Sequence, residues 1–345
     1  MRVQADFSLA DSNTLALRSR ARAYIRVDSV ADIDEALHWA DAEGLAILPL
    51  GEGSNIVLAG DLDLAVLQVV NRGRELLGHN DNAVLVRVQA GENWHQLVRW
   101  SLQQGYYGLE NLALIPGTAG AAPIQNIGAY GVELDRFVQR VHGIHLESGE
   151  HFSLSAEACD FGYRDSVFKQ TLRDQVILTA VDLRLSLEPA AQLSYPALAT
   201  ALEQRGLDKP SPAEIFDTVV AVRSARLPDP AQEPNAGSFF KNPVVDAARV
   251  ESLMKQFPQL PQYDLPEGKR KIPAAWLIEQ CGWKGRQING VGVHPGHALV
   301  LVNYGANSGR ELLSLAAAIQ HSIEDRFSIQ LEIEPRIYGT VAGSF

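Results

Sequence analysis

The feature that most constrains this chain is a run of small residues between Ile115 and Gly131. Its 17 residues include four glycines, two prolines and four alanines, a poor composition for a hydrophobic core. Small residues let the backbone approach a ligand closely, and Gln125 and Asn126 add directed donors and acceptors. A short helix beginning near Gly120 would point its first N–H groups at a phosphate. Because long loops are uncommon unless functional, the run predicts a ligand-binding loop.

A second glycine-containing turn, Gly51-Glu52-Gly53-Ser54-Asn55, follows a predicted strand at 45–50. It resembles the start of a dinucleotide fingerprint, but Ile56 stands where the third glycine belongs. The next residues predict a strand, whereas the fingerprint requires a helix whose N-terminus holds the pyrophosphate. The turn is therefore either an anion-binding nest of backbone N–H groups or a plain tight turn between strands.

Hydrophobic periodicity predicts an α+β chain without regular βαβ alternation. The predicted strands lie at 21–27, 45–50, 83–89, 176–187, 298–303 and 328–334, with a hairpin between 138 and 154. The predicted helices lie at 30–42, from 94 to Gly105, from 211 to the turn at 227–230, and near 246–256, 273–281 and 308–326. Ser211, Pro212 and Glu214 form a helix-start signature, and Leu227-Pro228-Asp229-Pro230 is a predicted domain hinge.

Composition and charge exclude several classes of protein. The chain has 345 residues, of which 46% are hydrophobic and 21% charged, which fits two or three soluble domains. No membrane span or signal peptide is expected, and Cys159 and Cys281 suit the reducing cytoplasm. A net charge of −11 argues against nonspecific binding to nucleic acid or anionic membranes. The histidines show no metal-ligand spacing, so no metal site is predicted.

Six motifs, taken in order along the chain, resemble those of one enzyme family. They are Leu50–Asn55, Ala90–Trp94, Gly108–Gly117, Pro123–Gly131, Phe161–Ser166 and Gly237–Pro243. Together they resemble the UDP-N-acetylenolpyruvoylglucosamine reductases, the MurB family, of the type with a tyrosine-bearing substrate loop. The resemblance covers nearly the whole chain, and the blocks at 108–131 and 237–243 are highly specific.

The resemblance implies a vanillyl-alcohol-oxidase or PCMH-type FAD-binding domain of two α+β subdomains, followed by a C-terminal α+β substrate domain. The implied ranges are 1–75 and 76–210 for the subdomains, 211–327 for the substrate domain, and 328–345 for a C-terminal strand that returns to the active site. Non-covalent FAD, NADPH as hydride donor, a UDP-sugar substrate and a monomer are also implied. The implied FAD contacts are Gly51, Gly53, Ser54, Asn55, Ile115, Pro116, Gly117, Gly120, Ile124, Gln125, Asn126, Gly128, Tyr130 and Arg223.

The reaction implied by the resemblance reduces an enolpyruvyl ether in peptidoglycan precursor synthesis. Hydride passes from NADPH to the flavin and then to the alkene carbon, and the resulting carbanion must be protonated. Ser238 would be the proton donor, and Arg164 would hold the substrate carboxylate, which suits a planar guanidinium. Glu334 matches the family glutamate by count, but Ile333 precedes it where the family has proline, which leaves Glu332 as the alternative.

Three further residues match substrate contacts of the family. Tyr195 corresponds to the tyrosine that closes over the substrate diphosphate, Arg226 to a position where lysine is usual, and Asn242 to a contact near Ser238. Lys241 is a weaker candidate, and His297 stands where glutamine is frequent. Two other functions remain open: a flavin oxidase on the same scaffold, and a non-catalytic UDP-sugar or flavin-binding module.

Overall fold

The computed structural model describes residues 1–189 and 192–339, which form 20 strands and seven α-helices. The elements up to residue 103 are β1 (Val3–Ser8), β2 (Arg20–Val27), α1 (Val30–Ala42), β3 (Ile47–Leu50), β4 (Ile56–Leu58), β5 (Leu62–Val69), β6 (Arg74–His79), β7 (Ala83–Gln89) and α2 (Trp94–Gln103). Those up to residue 226 are β8 (Gly128–Ala129), β9 (Val132–Glu133), β10 (Val138–His145), β11 (His151–Ser155), β12 (Val176–Ser186), α3 (Pro196–Gln204) and α4 (Pro212–Arg226).

The remaining elements lie between residues 235 and 338. They are β13 (Asn235–Ser238), β14 (Val244–Asp246), α5 (Ala247–Met254), β15 (Tyr263–Asp264), β16 (Lys269–Lys271), α6 (Ala274–Gln280), β17 (Gln287–Ile288), β18 (Val291–Val293), β19 (Val300–Asn303), α7 (Gly309–Phe327) and β20 (Arg336–Tyr338). Among the helices of the described residues, none has both the length and the apolar character that crossing a bilayer requires.

The chain divides into two compact units whose segments alternate in sequence. The first unit comprises Met1–Phe7, Ala21–Glu52 and Asp63–Ala225, and the second comprises Ser8–Arg20, Gly53–Leu62 and Arg226–Phe345. The subdomain boundaries at 75, 210 and 327 stay predictions, and residues 190–191 and 340–345 of those ranges lie outside the described residues.

The first unit begins with a four-stranded sheet in the order β1-β2-β5-β3, in which β3 and β5 run parallel. Helix α1 covers this sheet because its apolar residues recur at helical spacing, and Ile33, Ala36 and Ala40 are fully buried. The Ser29 hydroxyl caps the helix by accepting from the Asp32 N–H at 3.1 Å. Gly44 follows the helix with a φ of +64°, as predicted for a C-cap glycine.

A second sheet of the first unit is antiparallel, in the order β11-β10-β12-β7-β6. Its residues Val86, Val88, Val181 and Leu183 belong to a large core shared with α2, α3 and α4. Helix α4 starts with the predicted capping box, in which the Ser211 N–H donates to Glu214 Oε2 at 2.8 Å and the Glu214 N–H donates back to Ser211 Oγ at 3.3 Å.

The second unit contains smaller sheets and the longest helix. Its sheets have the orders β13-β19-β18-β17 and β14-β16-β15, and β20 pairs in parallel with β4. Helix α7 buries Leu312, Ala316, Ile319 and Ile323 on one face. The α+β fold class is therefore confirmed, and β4 confirms that a strand, not a helix, follows the first glycine turn.

The strand predicted at 328–334 is wrong in its extent. Only Ile333 in this segment forms a β-bridge, to Phe240, and the regular strand is β20, which starts at Arg336. Successive side chains in this segment nevertheless alternate in burial, because Ile329 and Leu331 are buried whereas Gln330 and Glu332 are exposed. Period-two burial identifies an extended segment, but it does not reveal whether a neighbouring strand supplies a ladder of hydrogen bonds.

A polar triad crosses the antiparallel sheet of the first unit. Asp182 accepts two hydrogen bonds from Arg87, at 2.7 and 2.9 Å, and lies 2.8 Å from Nε2 of His142. Burial alone would raise the pKa of Asp182, but the hydrogen bonds from Arg87 and His142 outweigh it and lower the pKa from 3.8 to about 2. The ionised carboxylate therefore stabilises the folded unit.

We expect Asp182→Asn to lower the free energy of unfolding by about 2 kcal/mol at pH 7, the equivalent of the lowered pKa. Because the folded pKa is the lower one, this stability is present above pH 4 and is lost as pH falls toward 2. Urea unfolding of both proteins between pH 7 and pH 3 measures it. Asp63→Asn, in an exposed ion pair with Arg22, is the matched control. If the difference in unfolding free energy between wild type and Asp182→Asn grew as pH fell, the lowered pKa of Asp182 would be contradicted.

Candidate active site

The two glycine-containing segments meet inside the first unit. A β-carbon added to Gly51 would lie 2.9 Å from Oγ1 of Thr118, so a larger residue here would have to displace the Thr118 side chain. The Glu52 carboxylate joins the same segments, since it accepts from the Gly117 N–H at 3.1 Å and from the Asn93 amide at 2.8 Å. Glu52 is a positioning group that the sequence did not single out.

The small-residue loop is hydrogen-bonded to the turn that starts at Ala90. Gly120 N donates to Ala90 O at 2.9 Å, and Ala119 N donates to Glu92 O at 2.8 Å. A β-carbon on Gly120 would lie 2.5 Å from the β-carbon of Ala90. These distances explain why the loop needs alanine and glycine, because larger side chains would separate the two backbones.

The short helix expected near Gly120 is a single 3-10 turn, Ala122–Gln125. The N–H groups of Ala121 and Ala122 both donate to Thr118 O at 3.1 Å, so they are satisfied within the loop. The turn includes Ile124, whose carbonyl accepts from the Ser166 hydroxyl at 2.6 Å. The N-terminal phosphate site proposed for a helix here is therefore not formed by these two N–H groups.

The Asn126 side chain forms hydrogen bonds within the protein. The residue is fully buried with a φ of +42°, its amide donates to Gly162 O at 3.2 Å, and its Oδ1 accepts from the Asp135 N–H at 2.9 Å. Left-handed backbone suits asparagine better than most residues. Asn126 thus fixes the turn at 162–165, which carries Arg164, and its cofactor contact stays a prediction.

The loop ends in a small hairpin, β8 to β9, whose turn residues are Tyr130 and Gly131. Both have positive φ, at +49° and +80°, as a two-residue hairpin turn of the primed type requires. The ring of Tyr130 meets that of Tyr195 edge to face, with centroids 5.4 Å apart. The predicted cofactor residue and the predicted substrate residue are therefore in contact within one unit.

Two arginines give the first unit a local positive site despite the net negative charge. Arg164 has a φ of +55° and its Nη2 donates to Gly128 O at 3.0 Å. Nε of Arg223 is buried and has no hydrogen-bond partner within residues 1–189 and 192–339. Burial and the like charge of Arg164 lower the pKa of Arg223, while the phenol of Tyr130 opposes them. A charge that is largely shielded from water is stabilised by a nearby anion.

His95 supports the start of the small-residue loop, a role the sequence did not indicate. Its Nδ1 accepts from the Leu114 N–H at 3.0 Å, next to Ile115 and Pro116, and its ring stacks on Phe216. Burial, together with the charges of Arg99 and Arg223, lowers the pKa of His95. A neutral imidazole keeps Nδ1 an acceptor, as the Leu114 contact requires.

The rest of the first glycine turn belongs to the second unit. Gly53 has a φ of +63°, and a β-carbon there would lie 2.1 Å from Ser12 O. Its carbonyl accepts from the Thr14 N–H at 3.1 Å, and Asn55 O accepts from the Arg336 N–H at 3.0 Å. The turn, which also includes Ser54, therefore has structural partners on both sides.

In the second unit, the segment after β13 pairs with the segment before β20. Glu334 N donates to Phe239 O, and Lys241 N donates to Glu332 O, both at 2.9 Å. Glu334 consequently lies opposite the residue next to Ser238. Glu332 instead forms an ion pair with Lys241 at 2.5 Å, and its side chain is 67% exposed.

Asn242 and Arg226 also lie in the second unit. Oδ1 of Asn242 accepts from the Ala274 N–H at 2.9 Å, at the start of α6. Arg226 is the exposed last residue of α4. Burial and then the charge of Arg226 lower the pKa of His297, whose Nδ1 accepts from the Leu299 N–H. No group of three or more potential metal ligands occurs in the part of the chain that the structure describes.

Two family models match the chain. Residues 21–155 match an FAD binding domain, and residues 229–338 match the C-terminal domain of UDP-N-acetylenolpyruvoylglucosamine reductase. The crystal structure of the enzyme of this name from Thermus caldophilus superposes with a TM-score of 0.68. It covers 98% of this chain and 100% of that one at 23% identity, which supports the fold.

Curated relatives extend the match over almost the whole sequence. The UDP-N-acetylenolpyruvoylglucosamine reductase of Paraburkholderia phymatum is 49% identical over 333 residues, 96% of each chain. That of Pseudomonas fluorescens is 44% identical over 340 residues, 98% of this chain and 99% of the relative. With its FAD binding domain and its matching C-terminal domain, the chain belongs to the UDP-N-acetylenolpyruvoylglucosamine reductase family.

Proposed function

We propose that the chain reduces the enolpyruvyl group of UDP-N-acetylglucosamine enolpyruvate to the lactyl ether of UDP-N-acetylmuramate, with NADPH as the hydride source. The observation that carries the proposal is the pairing of 239–241 with 332–334, in which Glu334 N donates to the carbonyl of Phe239, the residue that follows the proposed proton donor Ser238. The family match over nearly the full length supports the same reaction. We further propose a monomer that works in the cytoplasm.

Two features of the first unit support FAD binding there. The loop at 115–131 consists largely of small residues, and the buried Nε of Arg223 is a donor without a protein partner among the described residues. An anionic cofactor would accept from that donor and compensate the charge of Arg223. When bound, FAD supplies a carrier that accepts hydride from NADPH and passes it to the alkene carbon of the substrate.

Arg164 is proposed to hold the substrate carboxylate. Its left-handed backbone and its contact with Gly128 O fix the direction of the guanidinium. A planar fork with several donors matches a carboxylate and stabilises the negative charge that develops on it during reduction. Because the position needs both charge and a preset geometry, a lysine there would not be equivalent.

Ser238 is proposed to protonate the carbon that bears the sugar ether. Its backbone is held by the pairing of β13 with β19 and by the hydrogen bond from Phe239 N to Leu299 O. A serine hydroxyl is a weak acid, but the carbanion it meets is strongly basic. The role therefore needs accurate placement of the hydroxyl more than a lowered pKa.

Glu334 is preferred over Glu332 as the third catalytic residue. The Glu332 carboxylate is exposed and neutralised by Lys241, whereas the Glu334 backbone is bonded to the residue next to Ser238. Tyr195, Arg226 and Asn242 are proposed to bind the UDP-sugar, with the tyrosine at the diphosphate.

Arg223→Met should weaken FAD binding by at least about tenfold, because a charged hydrogen bond is worth roughly 1.5 to 3 kcal/mol. The same change should raise the melting temperature of the FAD-free protein, since it removes a buried charge without a counter-ion. Fluorescence titration with FAD and thermal unfolding measure the two effects. Arg226→Met, at an exposed position of the same helix, should change neither. Unaltered FAD affinity in Arg223→Met would argue against the cofactor role.

Ser238→Ala should leave anaerobic bleaching of the flavin by NADPH unchanged and slow its recovery on adding the enolpyruvyl substrate by about 10² to 10⁴. The difference arises because only the second half-reaction needs a proton. Stopped-flow absorbance measures both halves, and Ser314→Ala, at an exposed serine of α7, is the control. Equal loss in both halves would contradict the donor role. Recovery only on admitting oxygen to wild type would indicate an oxidase instead.

Glu334→Gln should slow the substrate half-reaction by about a hundredfold or more, in the range of general acid–base groups. Glu332→Gln, which loses only an exposed ion pair, should stay within about fivefold of wild type. Single-turnover reoxidation of the reduced enzyme by the enolpyruvyl substrate compares them. A larger loss at 332 would show that the catalytic carboxylate is Glu332.

A further inference from the structure

A single buried amide in the first unit joins two segments that are 62 residues apart. Asn111 is 1% exposed, and its Nδ2 donates to the carbonyls of Tyr130, at 3.0 Å, and Gln192, at 2.8 Å. A primary amide has two N–H donors, and here each carbonyl takes one. Asn111 is thus the direct link between the hairpin turn at 130–131 and the segment 192–195, which leads to Tyr195.

The hairpin side of this link is a tight two-residue turn. Tyr130 and Gly131 both have positive φ, which fixes the direction of the Tyr130 carbonyl. The turn also contacts the other segment, because the ring of Tyr130 meets that of Tyr195 edge to face with centroids 5.4 Å apart. The hairpin turn therefore supports the segment of Tyr195 through this ring contact as well as through Asn111.

The segment 192–195 is held at its other end by helix α3. The N–H groups of Leu198 and Ala199 both donate to Tyr195 O at 2.9 Å, and Leu198 is fully buried. Tyr195 itself is 43% exposed. Since burial does not fix its ring, the ring position depends on the anchors at either end and on the contact with Tyr130.

The chemistry at residue 111 is specific to asparagine. Alanine would leave two carbonyls without their donor, and aspartate would place a carboxylate against two carbonyl oxygens. The Gln192 side chain is not part of the link, because the accepting atom is its backbone oxygen. That side chain lines a cavity of about 520 Å³, so it can be truncated without removing the bond.

We propose that Asn111 is a positioning residue that holds Tyr195 ready for the UDP-sugar by tying its segment to the hairpin turn. The inference rests on the proposed function, in which Tyr195 contacts the substrate diphosphate. Asn111 does not touch the substrate in this scheme. It lowers the ordering cost that the segment would otherwise incur on binding.

The kinetic test compares Asn111→Ala and Asn111→Asp with Gln192→Ala. Both Asn111 variants should raise KM for the enolpyruvyl UDP-sugar by about tenfold, equivalent to about 1.4 kcal/mol, with kcat and flavin bleaching by NADPH nearly unchanged. Gln192→Ala should behave as wild type. In a Tyr195→Ala background, Asn111→Ala should add less than about twofold. A further tenfold rise in KM in the Tyr195→Ala background would overturn the proposal, because Asn111 would then act through something other than Tyr195.

Hydrogen exchange tests the link without any substrate. Amides of Leu198 and Ala199, which donate to Tyr195 O, should exchange faster in both Asn111 variants and at the wild-type rate in Gln192→Ala. Unchanged exchange in the Asn111 variants would overturn the inference. If wild type itself does not reduce the UDP-sugar, the proposed function fails, and exchange alone then decides whether Asn111 holds the segment. Asn111→Ser, which keeps one donor, should give intermediate exchange rates. This variant replaces the other two in the test if they do not fold.

Discussion

The close approach of two backbones, Ala90–Glu92 and Gly117–Gly120, is the constraint on which the site in the first unit depends. Gly120 and Ala119 donate directly to the carbonyls of the other segment, and a β-carbon at Gly120 would meet the one at Ala90. This contact leaves no space for larger side chains, so the loop is built from alanine, glycine and proline. The positions of the hairpin turn and of the arginines depend on where that loop is held.

Two positively charged side chains lie close together in a protein whose net charge is negative. The chain has a net charge of −11, yet Arg164 and Arg223 are close enough that the charge of one lowers the pKa of the other. A buried polar group is costly unless a partner compensates it, and Nε of Arg223 has no hydrogen-bond partner within the described residues. The triad of Asp182, Arg87 and His142 shows the opposite case, in which the protein provides every partner itself.

Local signals predicted most of the secondary structure. Helix α1 and strand β7 begin and end where the periodicity of the sequence places them, and the capping box at Ser211 forms as predicted. The error at 328–334 has a physical cause, because apolar alternation reports which side chains are buried and not which backbone groups are paired. The short helix expected near Gly120 is only a single 3-10 turn, and Thr118 O takes two of the N–H groups that were expected to face a phosphate.

The sequence by itself determined the fold class and the family, because its motifs are contiguous and specific. Only the tertiary structure decided what Glu52, His95 and Asn111 do, since each bonds to residues far away in the chain. It also showed that the Glu332 carboxylate forms an ion pair with Lys241, whereas the Glu334 N–H donates to the carbonyl of Phe239. Spacing along a chain cannot express such contacts, because they depend on how distant backbones are brought together by packing.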